Sequence, residues 1–374
     1  MERSSISMKK GKEKDANQVF KELEERVKRD KSPIDPIYKE LAAKIGMGDS
    51  EIMQRIFARL ANLEQAKILQ ALPDPDLGPT QGRTLEISEK FAQKLGMDKQ
   101  TVDKHIRGLY EKGVVFPTKK GPSLARTILQ LHDGALGNPK YDKAVGKEFF
   151  DLWGVFEGPM RKPTPQDLHG SSEFRVMPRW KSIEGIPGVL PYENAREILK
   201  AQDTIVLLHC GCKRSHQDRW CGTPVESCIT VGRTAQYNLD RGAGRKITYE
   251  QALEILDRFD EHGAVNTTVN QKDVGQLICN CHYCCCLAIR TAAKSRFLAV
   301  VDPEKCRLCN TCIEACQFDA INTRFYSEFG EERTVTDEDA CRGCGVCVVK
   351  CPNQARTMKL VRPPEHIPES LSIY

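Results

Sequence analysis

A chain of 374 residues is too long for one ordinary hydrophobic core, and at roughly 150 residues per domain it reads as two or three units. Its composition, 40% apolar and 29% charged, excludes wholesale disorder, and a net charge of +5 over this length is too small a surplus to mark a dedicated nucleic-acid binder. All 17 cysteines lie between Cys210 and Cys351, and Met1–Asp15 is charged without an apolar signal segment. A secreted disulfide scaffold is thereby disfavoured, and reduced cytoplasmic thiols that hold metal are expected. No apolar run approaches the roughly 18 residues of a spanning helix, so no membrane insertion is expected.

In chain order, Met1–Asp15 reads as a polar leader, and Phe20, Leu23 and Val27 give Asn17–Asp30 a helical period that Pro33 and Pro36 end. Ile37, Leu41 and Ile45 predict a helix closed by Gly46. A longer helix is predicted over Ser50–Leu72, with Ile52, Ile56, Leu60 and Leu63 on one face, and a turn-rich loop over Pro73–Arg83.

Ile87, Phe91 and Leu95 then mark a short helix, Gly96-Met97-Asp98 a turn, and Val102, Ile106 and Leu109 a second helix with Asp98 as its N-cap. Val114-Val115-Phe116 followed by Lys119-Lys120-Gly121 reads as a strand and hairpin tip. Over Ser50–Thr127 this order of elements resembles a winged helix-turn-helix. Lys99, Lys104 and Arg107 lie off the apolar face of the second helix, and Lys119 and Lys120 sit in the wing, which suits phosphate contact. Arg107 and Glu111 are also spaced as ion-pair partners, and no side chain declares base readout. Protein docking is therefore preferred here to DNA binding.

Pro122–Leu199 carries little periodicity, and Gly158–Pro165 reads as a linker or ordered arm. Pattern returns with a helix at Glu193–Ala201 and a strand at Thr204–Leu208 that runs into Cys210 and Cys212. Two further helices are expected, the second capped by Thr248 with Gln251 in a capping box. A strand ending at Ile278 then delivers Cys279, Cys281, Cys284, Cys285 and Cys286, with a helix predicted over Tyr283–Ala293.

The C-terminal part is an internal repeat. Val300-Val301-Asp302, then Cys306, Cys309, Cys312, Cys316 and Ala320, recurs as Val335-Thr336-Asp337, then Cys341, Cys344, Cys347, Cys351 and Ala355, each position 35 further on. Three thiolates spaced two apart wrap a compact turn around three irons of a cubane, while the fourth starts the next helix and points away. The run resembles that of bacterial two-cluster ferredoxins. That resemblance implies one 4Fe-4S cluster on Cys306, Cys309, Cys312 and Cys351, and another on Cys341, Cys344, Cys347 and Cys316. Gly343 and Gly345 are expected to bring backbone close to sulfide, and Ile313, Phe318, Ile321, Val346 and Val348 to supply an apolar wall. Gln317 departs from the pattern, which has proline here as the second half has Pro352, and Thr323–Arg333 reads as an extended hairpin suited to docking.

Nine thiols remain upstream: Cys210, Cys212, Cys221, Cys228, Cys279, Cys281, Cys284, Cys285 and Cys286. A helix starting at Tyr283 would lower thiol pKa values through its positive end. Three chemistries suit these residues: a further iron–sulfur cluster, which is preferred, a structural zinc, or a redox-active thiol pair. His209, His216 and His282 are read as hydrogen-bonding neighbours rather than ligands. Gly242-x-Gly244 lacks the third glycine of a dinucleotide loop.

Arg175-Val176-Met177-Pro178, Val189-Leu190-Pro191-Tyr192-Glu193, Arg241-Gly242-Ala243-Gly244-Arg245 and the two cysteine groups resemble large 4Fe-4S dicluster proteins of anaerobic bacteria over Arg175–Arg362. The expected fold is α+β and multidomain. It comprises a helical leader (1–48), a winged-helix-like domain (49–127), an α/β cysteine-rich domain (128–295), a two-cluster ferredoxin-like domain (296–362) and a tail (363–374). The expected role is single-electron transfer between redox protein partners, as a component of an oxidoreductase system. The alternatives are a redox-responsive DNA-binding regulator and an iron–sulfur reductase subunit.

Overall fold

The computed structural model describes residues 21–74, 83–161, 173–216 and 222–370. The leader, most of the Pro73–Arg83 loop, part of the Gly158–Pro165 segment, the last residues of the tail and Cys221 lie outside them. The chain divides into two units, one formed by Met1–Lys162, Leu208–Arg219 and Asn238–Arg245, the other by Pro163–Leu207, Trp220–Tyr237 and Lys246–Tyr374. Among the described residues no helix is long and apolar enough to cross a membrane.

The first unit is mainly helical. Residues 21–29 are helical, and Pro36–Lys44 follows with Asp35 accepting from the Ile37 amide at 3.0 Å. The helix expected over Ser50–Leu72 is two helices, Glu51–Leu60 and Leu63–Ala71. Ala61 is extended, and Asn62 opens a new helix in a reciprocal capping box with Gln65, so a local cap overrides a continuous apolar period. Glu89–Lys94, a turn, and Lys99–Glu111 capped by Asp98 come next, then the antiparallel pair β1 (Val115–Thr118) and β2 (Gly121–Leu124). Ile128–Leu136 and Asp142–Glu157, two helices without a counterpart in the expected elements, follow, and Gly211–His216 also belongs to the unit. Met53, Ile56, Phe57, Val102, Leu109, Phe149 and Trp153 are buried in it.

Within this core His132 Nε2 stands 2.9 Å from Glu157 Oε1, an ion-pair distance outside hydrogen-bond geometry, and His132 Nδ1 meets Asp133 at 2.8 Å. Burial alone would push the imidazole pKa down, but the charge of Glu157 and the hydrogen bond to Asp133 outweigh it and hold it at about 10.

Most of the second unit's strand residues lie in a six-stranded sheet of β3 (Phe174–Met177), β4 (Ile205–His209), β5 (Glu226–Val231), β6 (Gly244–Ile247), β7 (Val265–Val269) and β8 (Leu277–Cys281), in the order β3-β7-β8-β5-β4-β6. Pairings β3/β7, β7/β8 and β5/β8 are antiparallel. One side packs Met177, Leu207, Ile229 and Ile278 against Leu256 and Phe259 of the helix Tyr249–Glu261. That helix carries the predicted capping box between Thr248 and Gln251. The helix expected over Tyr283–Ala293 is confined to Ala288–Thr291, because the chain leaves β8 in tight turns instead. Beyond it, β9 (Phe297–Val301), β10 (Ile321–Tyr326), β11 (Glu331–Thr336) and β12 (Arg356–Leu360) form two antiparallel pairs, β9/β12 and β10/β11.

Replacing His132 by leucine strips Glu157 of its buried cation, and a loss of about 3–5 kcal/mol is expected. The parent's advantage should be complete below the unfolded histidine pKa, near 6.5, and disappear as pH rises from there through about 10. Urea titrations of both proteins across that range check this.

Candidate metal centres

The sequence repeat is also a backbone repeat. Leu308 and Asn310 take left-handed backbone (φ 47° and 62°), as do their counterparts Gly343 and Gly345 (69° and 73°), and Asp319 and Gln354 match at 51° and 50°. The halves interlock through strand exchange. β9 opens the first half and pairs with β12, which closes the second, while β10 and β11 pair in the complementary sense. Two equivalent bonds lock the exchange, Asp302 N to Ala355 O at 2.7 Å and Asp337 N to Ala320 O at 2.8 Å.

Packing within the protein gives a reason for glycine at 343 and 345. A side-chain carbon on Gly343 would overlap the Phe297 carbonyl and the Ser295 hydroxyl, and one on Gly345 the Ser182 hydroxyl. Close protein packing demands both. Their counterparts Leu308 and Asn310 are half-buried and exposed, so there only the dihedral must be met.

Strand exchange gathers the thiols in two sets that cross the repeat. Cys306, Cys309, Cys312 and Cys351 line one cavity, together with Thr334, Asn353 and Arg356. Cys309 is exposed and Asn353 donates to its sulfur at 3.9 Å. In the other set, burial and then the neighbouring Cys347, Cys316 and Cys341 push the Cys344 thiol well above its ordinary pKa. Burial also raises Cys316 and takes Cys347 to about 12. Burial opposes ionisation of Cys306 as well, yet hydrogen bonds from Thr334 and Leu308 and the charge of Arg356 bring its pKa below the ordinary value. The Ala320 and Ala355 amides donate to Cys316 and Cys351 sulfur at 3.4 and 3.3 Å, contacts that stabilise a thiolate in either half.

Arg356 was not singled out by the sequence reading. It is 3% exposed, donates to Thr334 and Thr336 at 2.9 and 3.0 Å, and lowers the pKa of Cys306 in one set and opposes the rise of Cys347 in the other. Its Nε is buried without a hydrogen-bond partner. Eight soft thiols in two groups of four, with an orphaned cationic donor beside both, fit anionic iron–sulfur clusters. The offset of 35 aligns Arg356 with Ile321, and that charge against an apolar counterpart is the signal that marks it.

Upstream, Cys228 and Cys279 are cross-strand partners on β5 and β8. Cys281 lies two residues beyond Cys279, so these three thiols share the sheet face opposite Ile229 and Ile278. Hydrogen bonding with Cys228 and Cys281 raises the Cys279 pKa well above normal. Cys286 folds back to Cys281 with its thiol donating at 2.9 Å. Cys284 and Cys285 occupy the turn between, not a helix N-terminus, so the expected helix-dipole stabilisation of these thiols does not arise. Cys210 and Cys212 belong to the first unit. Among the described residues no group of three or more His, Cys, Asp or Glu side chains converges to hold a single metal ion.

In the first unit Lys104, Arg107, Lys119 and Lys120 are exposed. Lys99 pairs with Asp103 at 2.5 Å, His105 with Glu64 at 3.1 Å, and Lys112 turns inward to the Leu60 carbonyl at 2.9 Å. The pairing read between Arg107 and Glu111 gives way to Lys140, which meets Glu111 at 2.9 Å. Four of the five cations expected to suit phosphate contact are therefore exposed, and Lys99 is paired.

Residues 305–355 match a family model described as a 4Fe-4S dicluster domain, so the C-terminal part of the chain is an iron–sulfur domain. Comparisons with curated proteins and with solved structures gave no match.

On the reading that each thiol set holds one cluster, Gly345→Ala should cost the one on Cys341, Cys344, Cys347 and Cys316 and spare the other, halving the iron per chain, whereas Asn310→Ala should retain both. Iron analysis of anaerobic material decides it. Arg356→Gln removes a cation that favours the more negative, reduced state. A fall in potential of about 60 mV or more is expected, equivalent to tenfold for one electron, and redox titration followed by electron paramagnetic resonance measures it.

Proposed function

We propose that this chain is an electron-transfer protein whose C-terminal domain holds two 4Fe-4S clusters, one on Cys306, Cys309, Cys312 and Cys351 and the other on Cys341, Cys344, Cys347 and Cys316. The observation that carries the reading is the crossing of the thiol sets. The strand exchange brings Cys351 to the first half's cavity and Cys316 beside the second half's thiols, as two interlocked cubane sites require. The match of residues 305–355 to a dicluster domain supports it independently.

The two ends of the domain serve different contacts. Around Cys309 the ligand loop is exposed, which suits a donor or acceptor protein. At Cys344 the backbone carbonyl accepts from the Arg179 amide at 2.9 Å, and Arg179 is itself buried with Asp260. That end is held by the sheet-bearing part of the same unit. No proton-transfer or nucleophilic group is required of the protein. Its residues hold the clusters, limit solvent through Ile183, Phe297, Ile321 and Met358, and supply hydrogen bonds and positive charge that set the potential.

Protein purified without oxygen should be brown, bleach on addition of dithionite, and carry about eight irons and eight sulfides per chain. Colourless protein that takes up no iron on reconstitution overturns the reading.

A further inference from the structure

The upstream thiols contain a pair that the cluster sets do not use. After β8 the chain turns tightly, with the Cys285 and Cys286 amides both donating to the His282 carbonyl, at 3.2 and 3.0 Å. That turn lays Cys286 sulfur 2.9 Å from Cys281 sulfur. Both residues are buried, at 5% and 4% exposure, and the Thr267 hydroxyl stands 3.2 Å from Cys281 sulfur. A closure of about 1 Å would join the sulfurs in a disulfide across four intervening residues.

The same turn docks on the ferredoxin-like domain directly beside a cluster ligand. The Tyr283 amide donates to Gln317 Oε1 at 2.6 Å, and Gln317 is bonded to Cys316. Gln317 Nε2 in turn donates to the Gly263 carbonyl, the Tyr283 ring packs edge-on to Phe318 at 6.3 Å, and Arg290 lies 4.0 Å over Tyr283 while donating to its carbonyl at 2.7 Å. One hydrogen bond therefore joins the side chain of the residue after Cys316 to the turn that closes the thiol pair. Proline at 317 could make neither contact, which gives this departure from the repeat a purpose.

We propose that Cys281 and Cys286 form a dithiol–disulfide couple that exchanges electrons with the ferredoxin-like domain across the Gln317–Tyr283 contact, with Gln317 as its positioning residue. This rests on the two-cluster reading above. In the reducing direction the Sγ–Sγ bond breaks, and each sulfur gains one electron and one proton. The two electrons come singly, one from the cluster on each thiol set, and the two protons come from solvent. In the reverse direction each oxidised cluster takes one electron, the two protons pass to solvent, and the Sγ–Sγ bond forms. Since both sulfurs are buried, the pair exchanges electrons inside the protein and not with a partner's disulfide.

The test uses the full-length protein with clusters verified by visible absorbance. It is oxidised with diamide, then photoreduced with deazaflavin, and samples are acid-quenched, alkylated and mapped by mass spectrometry. A disulfide between Cys281 and Cys286 should form while the cluster absorbance persists, and disappear on photoreduction. In Gln317→Leu its loss should slow at least tenfold while the clusters bleach at the parent rate, which separates transfer to the thiol pair from reduction of the clusters. The proposal is overturned if cluster-bearing protein never forms this disulfide, if about one zinc or a further set of irons occupies these thiols, or if Gln317→Leu reduces the disulfide as fast as the parent. Protein lacking the cluster absorbance would instead defeat the two-cluster reading, and this proposal with it.

Discussion

Strand exchange between the two halves of the C-terminal domain is the constraint on which the rest depends. Neither half has all four thiols of one set in its own loop, and the fourth is delivered only when β9 meets β12 and β10 meets β11. The bonds from Asp302 to Ala355 and from Asp337 to Ala320 fix the register of that exchange at both ends. A slip of one residue would turn alternate side chains to the other face and separate Cys316 and Cys351 from their sets. Domain folding and cluster-site assembly are one event for this reason.

The repeat is nearly symmetric in backbone and markedly asymmetric in surroundings. Gly343 and Gly345 are pressed against Ser295, Phe297 and Ser182, whereas Leu308 is half-buried and Asn310 exposed. Burial accordingly drives the thiol pKa values of Cys344 and Cys347 up, while Cys306 stays low under Thr334 and Arg356. Since burial and nearby hydrogen bonds are the levers on cluster potential, two sites of the same ligand chemistry are given different environments. Arg356, touching the electrostatics of both, couples them.

The iron–sulfur domain was legible because its cysteines recur at a fixed spacing, which survives in one dimension. The Asp98 cap and the Thr248–Gln251 box were legible for the same reason, being contacts over three residues. The break at Ala61 was hidden by apolar residues that keep the helical period across it, although Asn62 and Gln65 carried the cap. The helices Ile128–Leu136 and Asp142–Glu157 were obscured by internal glycines, among them Gly146 with φ 74°. The short helix after Cys286 was overextended because turn bonds to the His282 carbonyl leave no trace in periodicity. Gln317 was visible as an anomaly, but its partners Tyr283 and Gly263 lie 34 and 54 residues away.

The central sheet explains why cysteine and apolar residue alternate in β5 and β8. Cys228 and Ile229, then Ile278, Cys279, Asn280 and Cys281, obey a period of two, so one face builds the core with Phe259 and the other carries sulfur. Asn280 is buried among polar partners, accepting from Asn266 at 2.9 Å and donating to the Ser227 carbonyl at 3.0 Å, which holds β8 between its neighbours. A strand anchored in this way fixes the height at which Cys281 emerges, and the tight turn that follows lays Cys286 against it. The sulfur pair is thus set by strand register, and the turn that sets it is the segment bound by Gln317.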